Sequence, residues 1–467
     1  MLDSSPNGPN FETVVVRAPI ADPGVSRPDP RHYARHLAAL VDEHRVEVRR
    51  DIVHADGSVL VSAGRLLDGE LAERIAGQPL VALLSRSIEI RDGIDPDVIV
   101  NVWSRLREAH ADLRQLEQRL GIADDFETVA RSAPLPPEVW QVATVMFARR
   151  PDWFRIAVLG AWFAVALARE AGFVDVNVLR AFAAGFSRDL GFLFIDARHI
   201  DKPGYLQDGT GAWRAIQGHV DTGREVWTES DAPEPWAAAV GRSIYEHHER
   251  VNGTGYPERV DADALDDVGQ IVGMADLLAS VRLKRFKDSG RNLRDALPIV
   301  LVSSDCFPKP VLDATVRAIG RAGLRSTTVC DLPSKSDLVD RLVSRAYVLR
   351  NAARVLAELP SFEPVVPRGH EAPAPGPLTR AVSTTVQMLA RSGVAQSELG
   401  AWLDAVRNGR ATARMHELCE MDLQQGEALW RVEQIRRLLV EHYEIHQPRP
   451  NSPAHRALNA LESCMSV

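Results

Sequence analysis

Residues 247–257 have the sequence HHERVNGTGYP. Two adjacent histidines and a carboxylate precede a run of small, turn-forming residues and a Tyr-Pro pair. Imidazoles ligate divalent metals, and glycines let the backbone approach a ligand closely. The alternative is that both imidazoles are hydrogen-bonded core groups and that the Gly-Tyr-Pro turn only packs a helix end. The stretch therefore poses a choice between a metal-binding site and a packed helix terminus.

Length and composition exclude several classes of protein. The 467 residues exceed one ordinary core, so we expect two to four domains. A net charge of -8 gives no basic surface for nucleic acid, and four widely separated cysteines suit a reducing compartment. The N-terminus lacks a signal-peptide pattern, and the apolar run 156–168 is too short to span a bilayer. We therefore expect a cytoplasmic protein that binds neither nucleic acid nor a membrane.

Hydrophobic periodicity predicts a mainly α-helical protein with several units. In chain order these are a disordered N-terminus (1–30), a small α/β unit (31–95), a connecting helix (96–133), a large helical domain (134–358), a Pro-rich linker (359–378), a C-terminal helical unit (379–446) and a tail (447–467) that begins as a loop. Within the large domain, helices are predicted at 153–171, 176–190, 211–229, 234–250, 267–285 and 308–323. In the small unit, two short strands are predicted on either side of an Asp-Gly turn.

Five residues of metal-binding types fall on the large helical domain. They are Asp189, His219, His247, His248 and Asp276. Imidazole and carboxylate ligands suit iron, manganese or zinc, and helical bundles build such sites from inward-facing side chains. A single histidine on a helix is more often a surface or core residue. The adjacent pair and its Gly-rich turn therefore provide the main support for a metal site.

These residues resemble the HD-GYP phosphohydrolases, which hydrolyse cyclic di-GMP and related signalling nucleotides. The stretch HHERVNGTGYP is similar to the family signature His-His-Glu-x-x-Asp-Gly-x-Gly-Tyr-Pro and departs from it only at Asn252. Residues 188–206 (RDLGFLFIDARHIDKPGYL) align with the HDxGK stretch of the family, and residues 273–285 (GMADLLASVRLKR) with its last carboxylate ligand. The resemblance covers residues 140–330 and implies an HD-type all-helical domain. Residues 51–67 resemble, less specifically, part of a small domain that precedes HD-GYP domains in many bacterial proteins.

The resemblance also implies roles for individual residues. One metal of the family is held by an upstream histidine, the HD pair and the last carboxylate, here Asp276. The second metal shares the HD aspartate, here Asp189, and uses three later histidines, which are present as His219, His247 and His248. The residues that could contact a nucleotide are Arg250, Gly253, Gly255, Tyr256, Pro257 and Arg285.

Three departures affect the first metal. The histidine of the HD pair is Arg188, and the lysine of the same motif is Phe192. The upstream position falls near Ile156, and no histidine lies between residues 110 and 199. One half of the implied site has therefore lost two imidazoles, whereas the other half is intact.

A guanidinium has no lone pair to offer a metal, so Arg188 cannot be a ligand. Its charge could instead replace the first metal by forking onto Asp189 and Asp276. We therefore predict one divalent metal (iron, manganese or zinc) or none, with little or no hydrolysis.

Three functions stay open at this point. The favoured one is a bacterial signalling protein in which a degenerate site senses cyclic di-GMP or a related nucleotide, or scaffolds a protein partner. The second is an active metal-dependent phosphodiesterase. The third is a vestigial pocket whose flanking units bind proteins. The apolar faces of the C-terminal helices also make a homodimer an expectation.

A second, weaker cluster of metal-binding residue types lies in the C-terminal unit. It comprises His416, Cys419, His442 and His446. Because these segments are rich in Glu, Arg and Gln, a solvated helix pair is favoured over a zinc site.

Overall fold

The fold of this chain is mainly helical, as its hydrophobic periodicity predicts. The computed structural model describes residues 30–200, 209–260, 262–330, 332, 334–359, 377–446 and 453–465. In the N-terminal half its α-helices are α1 (Pro30–Ala38), α2 (Gly69–Ala76), α3 (Pro96–Ala109), α4 (Ala111–Leu120), α5 (Ala123–Ser132), α6 (Pro137–Arg149), α7 (Pro151–Glu170), α8 (Asp175–Ser187), α9 (Ala197–Ile200), α10 (Gly209–Gln217) and α11 (His219–Thr228). They continue as α12 (Glu234–Glu246), α13 (Asp267–Ser280), α14 (Leu297–Val302), α15 (Lys309–Arg321), α16 (Lys335–Ala357), α17 (Pro377–Arg391), α18 (Ser397–Arg407), α19 (Met415–His446) and α20 (Pro453–Met465).

The N-terminal unit combines α1 and α2 with four short strands. These are β1 (Val46–Val48), β2 (Ile52–Val53), β3 (Val59–Val61) and β4 (Ile88–Ile90). Strand β1 pairs antiparallel with β4, and β2 with β3 across the predicted Asp-Gly turn. In that turn Asp56 accepts a hydrogen bond from the Ser58 backbone at 2.9 Å, and Gly57 takes a φ of +88°. Tyr33 of α1 stacks on Phe194 at 4.9 Å, which joins this unit to the large domain.

Helix α7 is the centre of the large domain. Every residue from 156 to 168 is buried, and α3, α6, α8, α13 and α15 pack around the helix. By length and composition α7 is apolar enough to cross a membrane, but 78% of its most apolar window is buried inside the fold. The indole of Trp162 on α7 stacks on Trp103 of α3 at 4.6 Å. These contacts are those of a core helix, because its whole circumference is covered by neighbouring helices.

The predicted helices of the large domain correspond to α7, α8, α12, α13 and α15. The segment predicted as one helix at 211–229 forms two, α10 and α11, which separate at Gly218. The predicted connecting helix 96–133 forms three, because the chain is extended at His110 and left-handed at Gly121. Helix α20 lies within the predicted tail and buries Leu461. The predicted disorder at 1–30 and the linker at 359–378 fall almost entirely outside the described residues.

Helix α16 packs with the C-terminal helices. Its apolar face contributes Leu349 to a core shared with α17, α19 and α20, and Leu342 to a second core shared with α18 and α19. The periodicity had placed α16 in the large domain, because it precedes the Pro-rich segment. Its partners are set by tertiary packing, which the local pattern does not encode.

Buried ion pairing fixes α19 to the large domain. Arg431 is 5% exposed, and its Nη2 donates to Asp305 Oδ2 at 2.9 Å. Its Nη1 donates to Asp305 Oδ1 and to the carbonyl of Val302 at 3.1 Å. Burial by itself lowers the pKa of Arg431, but the neighbouring thiol and carboxylates outweigh it and raise the pKa above its ordinary value. The guanidinium therefore stays charged and makes three hydrogen bonds at this junction.

Replacing Arg431 with Met should lower the free energy of unfolding by about 3 kcal/mol, because Asp305 would keep a poorly solvated charge without its cation. Equilibrium unfolding in urea measures the change. As a control, Lys309→Met removes an ion pair to Asp313 whose lysine side chain is 82% exposed, and it should leave the urea midpoint almost unchanged. Equal midpoints for R431M and the wild type would contradict this role of the Arg431–Asp305 pair.

Candidate functional site

Two histidine rings are aimed by hydrogen bonds to backbone carbonyls. His219 is the first residue of α11, and its Nδ1 lies 2.6 Å from the carbonyl oxygen of Ile216. His247 follows α12, and its Nδ1 lies 2.6 Å from the carbonyl oxygen of Ile244. A carbonyl can only accept, so in each ring Nδ1 carries the proton and Nε2 carries a lone pair. The local chain path thus fixes both the tautomer and the direction of the free nitrogen.

The free nitrogens converge on one point. Atoms Nε2 of His219 and His247 are buried and have no hydrogen-bond partner among the described residues. With His248 they form a group in which one ligand atom from each ring lies within 4.8 Å of the others. Asp189 Oδ1 lies 3.9 Å from His219 Nε2. Buried polar atoms are normally hydrogen bonded, so facing lone pairs of this kind fit a divalent cation.

Protonation of this cluster is disfavoured. Desolvation lowers the pKa of His247 to about 4, and the neighbouring His219 adds to the effect. Desolvation likewise lowers the pKa of His219 and places that of His248 well below its ordinary value. Neutral imidazole is the form that ligates metals. The cluster is therefore in its ligand form at neutral pH.

Arg188 lies where the family motif has its first histidine, and it is fully buried. Its Nε donates to Asp276 Oδ1 at 3.0 Å, and its Nη2 lies 3.2 Å from Asp189 Oδ2. Burial would lower the pKa of Arg188, but the two carboxylates outweigh it and raise the pKa above its ordinary value. Burial would raise the pKa of Asp276, but the Arg188 charge lowers it below the usual range. The guanidinium thus lies between the carboxylates of Asp189 and Asp276, the two residues onto which its charge was predicted to fork.

A glycine that the sequence analysis did not single out provides room for this guanidinium. A Cβ at Gly160 of α7 would overlap Arg188 and lie 2.6 Å from its Cζ. Gly160 is one helical turn after Ile156, whose carbonyl accepts from Arg188 Nη2 at 3.4 Å. Glycine inside a buried helix destabilises it by about 1 kcal/mol and so signals close packing. That signal was present in the apolar run 156–168.

The comparisons with known proteins cover the part of the chain that contains this site. Residues 149–304 match the HD domain family model. The central part of this chain is an HD domain of the HD-type phosphohydrolase family. A 3'3'-cGAMP-specific phosphodiesterase 1 of Vibrio cholerae is 25% identical over 278 residues, which is 56% of this chain and 56% of that protein. A cyclic di-GMP phosphodiesterase of Pseudomonas aeruginosa is 26% identical over 156 residues, which is 33% of this chain and 36% of that protein.

A third relative covers a similar region. The 3'3'-cGAMP-specific phosphodiesterase 3 of Vibrio cholerae is 26% identical over 147 residues, which is 30% of this chain and 31% of that protein. The chain thus spans between about a third and just over half of the length of these relatives.

The Gly-Tyr-Pro turn packs against His248, the second histidine of the adjacent pair. A Cβ at Gly255 would lie 2.6 Å from Glu249 Cα, so only glycine permits this approach. The ring of Tyr256 stacks on His248 at 4.6 Å. The buried carboxylate of Glu249 accepts from the two backbone N–H groups after Pro257, at 2.6 and 2.9 Å. The turn therefore packs a helix end and also orients a ring of the histidine cluster.

The departure at Asn252 connects this turn to the C-terminal helices. Its Nδ2 donates to Asp305 Oδ2 at 2.8 Å, and its Oδ1 accepts from the Thr254 backbone at 3.1 Å. An aspartate here would oppose the Asp305 carboxylate, which already pairs with Arg431. An amide satisfies both neighbours because it can donate and accept.

A cavity of about 310 Å³ lies next to the histidine cluster. The HD domain lines it with Asp189, His248 and Asp276, and with the cations Arg250 and Lys284. Helices α17 and α19 line the same cavity, so it lies between the HD domain and the C-terminal unit. Its size falls at the lower end of the range for small-molecule sites.

The expected nucleotide-contact residues divide into two groups. Arg250, Gly255 and Tyr256 line the cavity. Among the described residues that line it, Gly253, Pro257 and Arg285 do not appear. Instead, Arg285 Nη1 donates to Glu427 Oε2 of α19 at 3.0 Å, and this carboxylate also accepts from Ser303. Arg285, which the resemblance placed among the nucleotide-contact residues, is thus paired with a carboxylate of the same chain.

Two further positions bear on the predicted ligand set. Phe192 replaces the motif lysine and stacks on the His219 ring at 4.1 Å. In the weaker C-terminal cluster, Cys419 is buried in α19, but the side chains of His442 and His446 lie outside the described residues. Within the described part of the chain, the group of His219, His247 and His248 is the one arrangement of three that could hold a metal ion.

A double-mutant cycle tests the packing of Arg188. Gly160→Ala should destabilise the wild type by about 2 kcal/mol, since its methyl group overpacks the guanidinium. The same substitution in an Arg188→Ala background should cost less than about 0.5 kcal/mol, because the clashing group is gone. Urea unfolding of the four proteins measures the coupling.

Two further results complete that cycle. R188A alone should cost about 3–5 kcal/mol, because it leaves Asp189 and Asp276 without their cation. Gly320→Ala is the control, because a Cβ there meets nothing within 4 Å and should stabilise α15 slightly. An additive cycle would contradict the packing of Arg188 against Gly160, and an R188A protein as stable as the wild type would show that Arg188 does not hold the two carboxylates.

Proposed function

We propose that this protein is a bacterial signalling protein whose HD-GYP-type domain senses a cyclic nucleotide and hydrolyses it little or not at all. The supporting observation is the position of Arg188. Two-metal hydrolysis requires a metal-activated water and cations on both sides of the displaced group. A buried guanidinium between Asp189 and Asp276 supplies charge at one of these places, but it cannot ligate or activate water.

One divalent ion at the histidine cluster is part of the proposal. His219, His247 and His248 would hold it, with Asp189 as the nearest carboxylate. Such an ion would polarise a phosphate oxygen and lower the pKa of a bound water. Nitrogen and oxygen donors suit iron, manganese or zinc. The chain itself contributes neutral rings in a fixed tautomer and a Phe192 face that shields His219.

The proposed ligand is cyclic di-GMP or a related cyclic dinucleotide. Support comes from the relatives, which are named for cyclic di-GMP and 3'3'-cGAMP. The cavity beside the histidines also contains Arg250 and Lys284, which suit phosphate. We place the protein in the cytoplasm and expect the ligand to control contacts with protein partners or with a second copy of the chain.

A second candidate function is a phosphodiesterase that uses one metal. The observation that favours it is the pair of orphaned Nε2 atoms of His219 and His247, because an ion held there would also activate a water molecule. The two candidates share the ligand and differ in turnover.

Metal analysis should find about one divalent ion per chain in protein purified under anaerobic, reducing conditions. His247→Ala should reduce this to near zero, because it removes a converging lone pair from the cluster. His416→Ala is the matched control, and it should leave the content unchanged because His416 lies on α19 outside the cluster. Two ions per chain in the wild type would contradict the replacement of the first metal by Arg188.

Turnover separates the two candidates. The metal-loaded wild type should bind cyclic di-GMP or 3'3'-cGAMP in calorimetry, while chromatography of the mixture detects no linear product. Product that disappears in H247A, at one metal per chain, would establish the one-metal phosphodiesterase instead. Absence of binding to either dinucleotide would overturn both candidates.

A further inference from the structure

The wall of the cavity built by α17 and α19 contains groups that the HD domain does not supply. Thr385 lies on α17, and Trp430 and Gln434 lie one turn apart on α19. All three line the cavity that also contains His248 and Asp276. Because α19 is fixed by the buried Arg431–Asp305 pair, this wall is part of the folded pocket rather than a separate module.

The Thr385 hydroxyl is an unusual group for a helix. The residue is 1% exposed, and its Oγ1 makes no hydrogen bond to any described residue. A threonine inside a helix ordinarily donates to the carbonyl four residues earlier. The adjacent Thr384 does so, at 2.9 Å from the Arg380 oxygen. Thr385 lines the cavity, and its buried donor is left without an acceptor among the described residues.

The Gln434 side chain presents the same feature. Its amide nitrogen is buried and has no acceptor in the described part of the chain. By contrast, the amide of Gln425 on the same helix donates to the Leu342 carbonyl at 3.2 Å. A buried donor without an acceptor destabilises a fold, so two that line one cavity indicate acceptors supplied by a ligand.

Trp430 adds a flat apolar surface. The residue is 49% exposed, although Leu423, Val432 and Ile435 of the same helix are buried. An exposed indole in a cavity wall suits stacking with a nucleobase, which every base can do through its ring face. Neutral donors and an aromatic ring suit a base, whereas a phosphate requires cations such as Arg250 and Lys284.

We infer that the C-terminal wall of the pocket recognises the base of the bound nucleotide: Thr385 and Gln434 donate to acceptors on its edge, and Trp430 stacks on its face. The inference rests on the proposed function and deepens it. Cyclic dinucleotide specificity in this protein is then set by α17 and α19, outside the part of the chain that matches the HD domain family model.

Calorimetry with the full-length chain tests the inference, with cyclic di-GMP and 3'3'-cGAMP as probes. Thr385→Val and Gln434→Leu should each weaken binding of the tighter probe about tenfold, because each removes one hydrogen bond to the base. Neither should lower the melting temperature, because each removes an unsatisfied buried donor. The matched controls Thr384→Val and Gln425→Leu should bind as the wild type does, since neither residue lines the cavity.

Hydrogen exchange of the wild type provides a measurement that does not depend on a variant. Saturating probe should slow amide exchange in α17 and in residues 427–438 of α19, as well as in the 247–257 turn. Protection of the turn alone, or wild-type affinity in both T385V and Q434L, would overturn the inference and leave the proposed function intact. A wild type that binds neither probe would overturn both.

Discussion

A buried cation between two carboxylates is the interaction on which the site depends. Arg188, Asp189 and Asp276 are brought together by α8 and α13 around the central helix α7. In a poorly solvated interior, two carboxylates without a cation are strongly unfavourable. The guanidinium supplies that charge covalently, whereas a metal ion can dissociate. Its bulk in turn requires that residue 160 of α7 be glycine. The position of Asp189 next to His219 is therefore set by the protein itself.

The C-terminal helices are linked to two positions of the family motifs, Asn252 and Arg285. Asn252 donates to Asp305, and Arg431 of α19 donates to the same carboxylate. Arg285 is paired with Glu427 of the same helix. Each of these contacts joins residues far apart in sequence through charge-assisted hydrogen bonds. Helix α19 is consequently part of the site, and its removal would leave charged groups of the HD domain without partners.

The helices of the large domain were predictable because the apolar residues of each segment follow the helical repeat, as in α7, α8 and α13. Two histidines of the cluster, His247 and His248, were predictable because they are adjacent in the local motif HHERVNGTGYP, whereas His219 came only from the resemblance to the family. Gly160, Thr385 and Gln434 were not predictable, since their roles depend on partners set by tertiary packing. The packing of α16 was not predictable either, because the helices in contact with it follow the Pro-rich segment in the sequence. The pairing of Arg285 with Glu427 spans 142 residues, and no local pattern contains it.

The geometry of Arg188 also limits what the site can do with a phosphate. The residue is fully buried, and its donors are directed to Asp276, to Asp189 and to the carbonyls of Gly185 and Ile156. A guanidinium engaged in this way cannot reach a ligand in the cavity, so it cannot stabilise charge that develops on a reacting phosphate. In the proposed function, Arg188 therefore takes over only the structural role of a metal, and any hydrolysis would have to come from an ion bound at the histidine cluster.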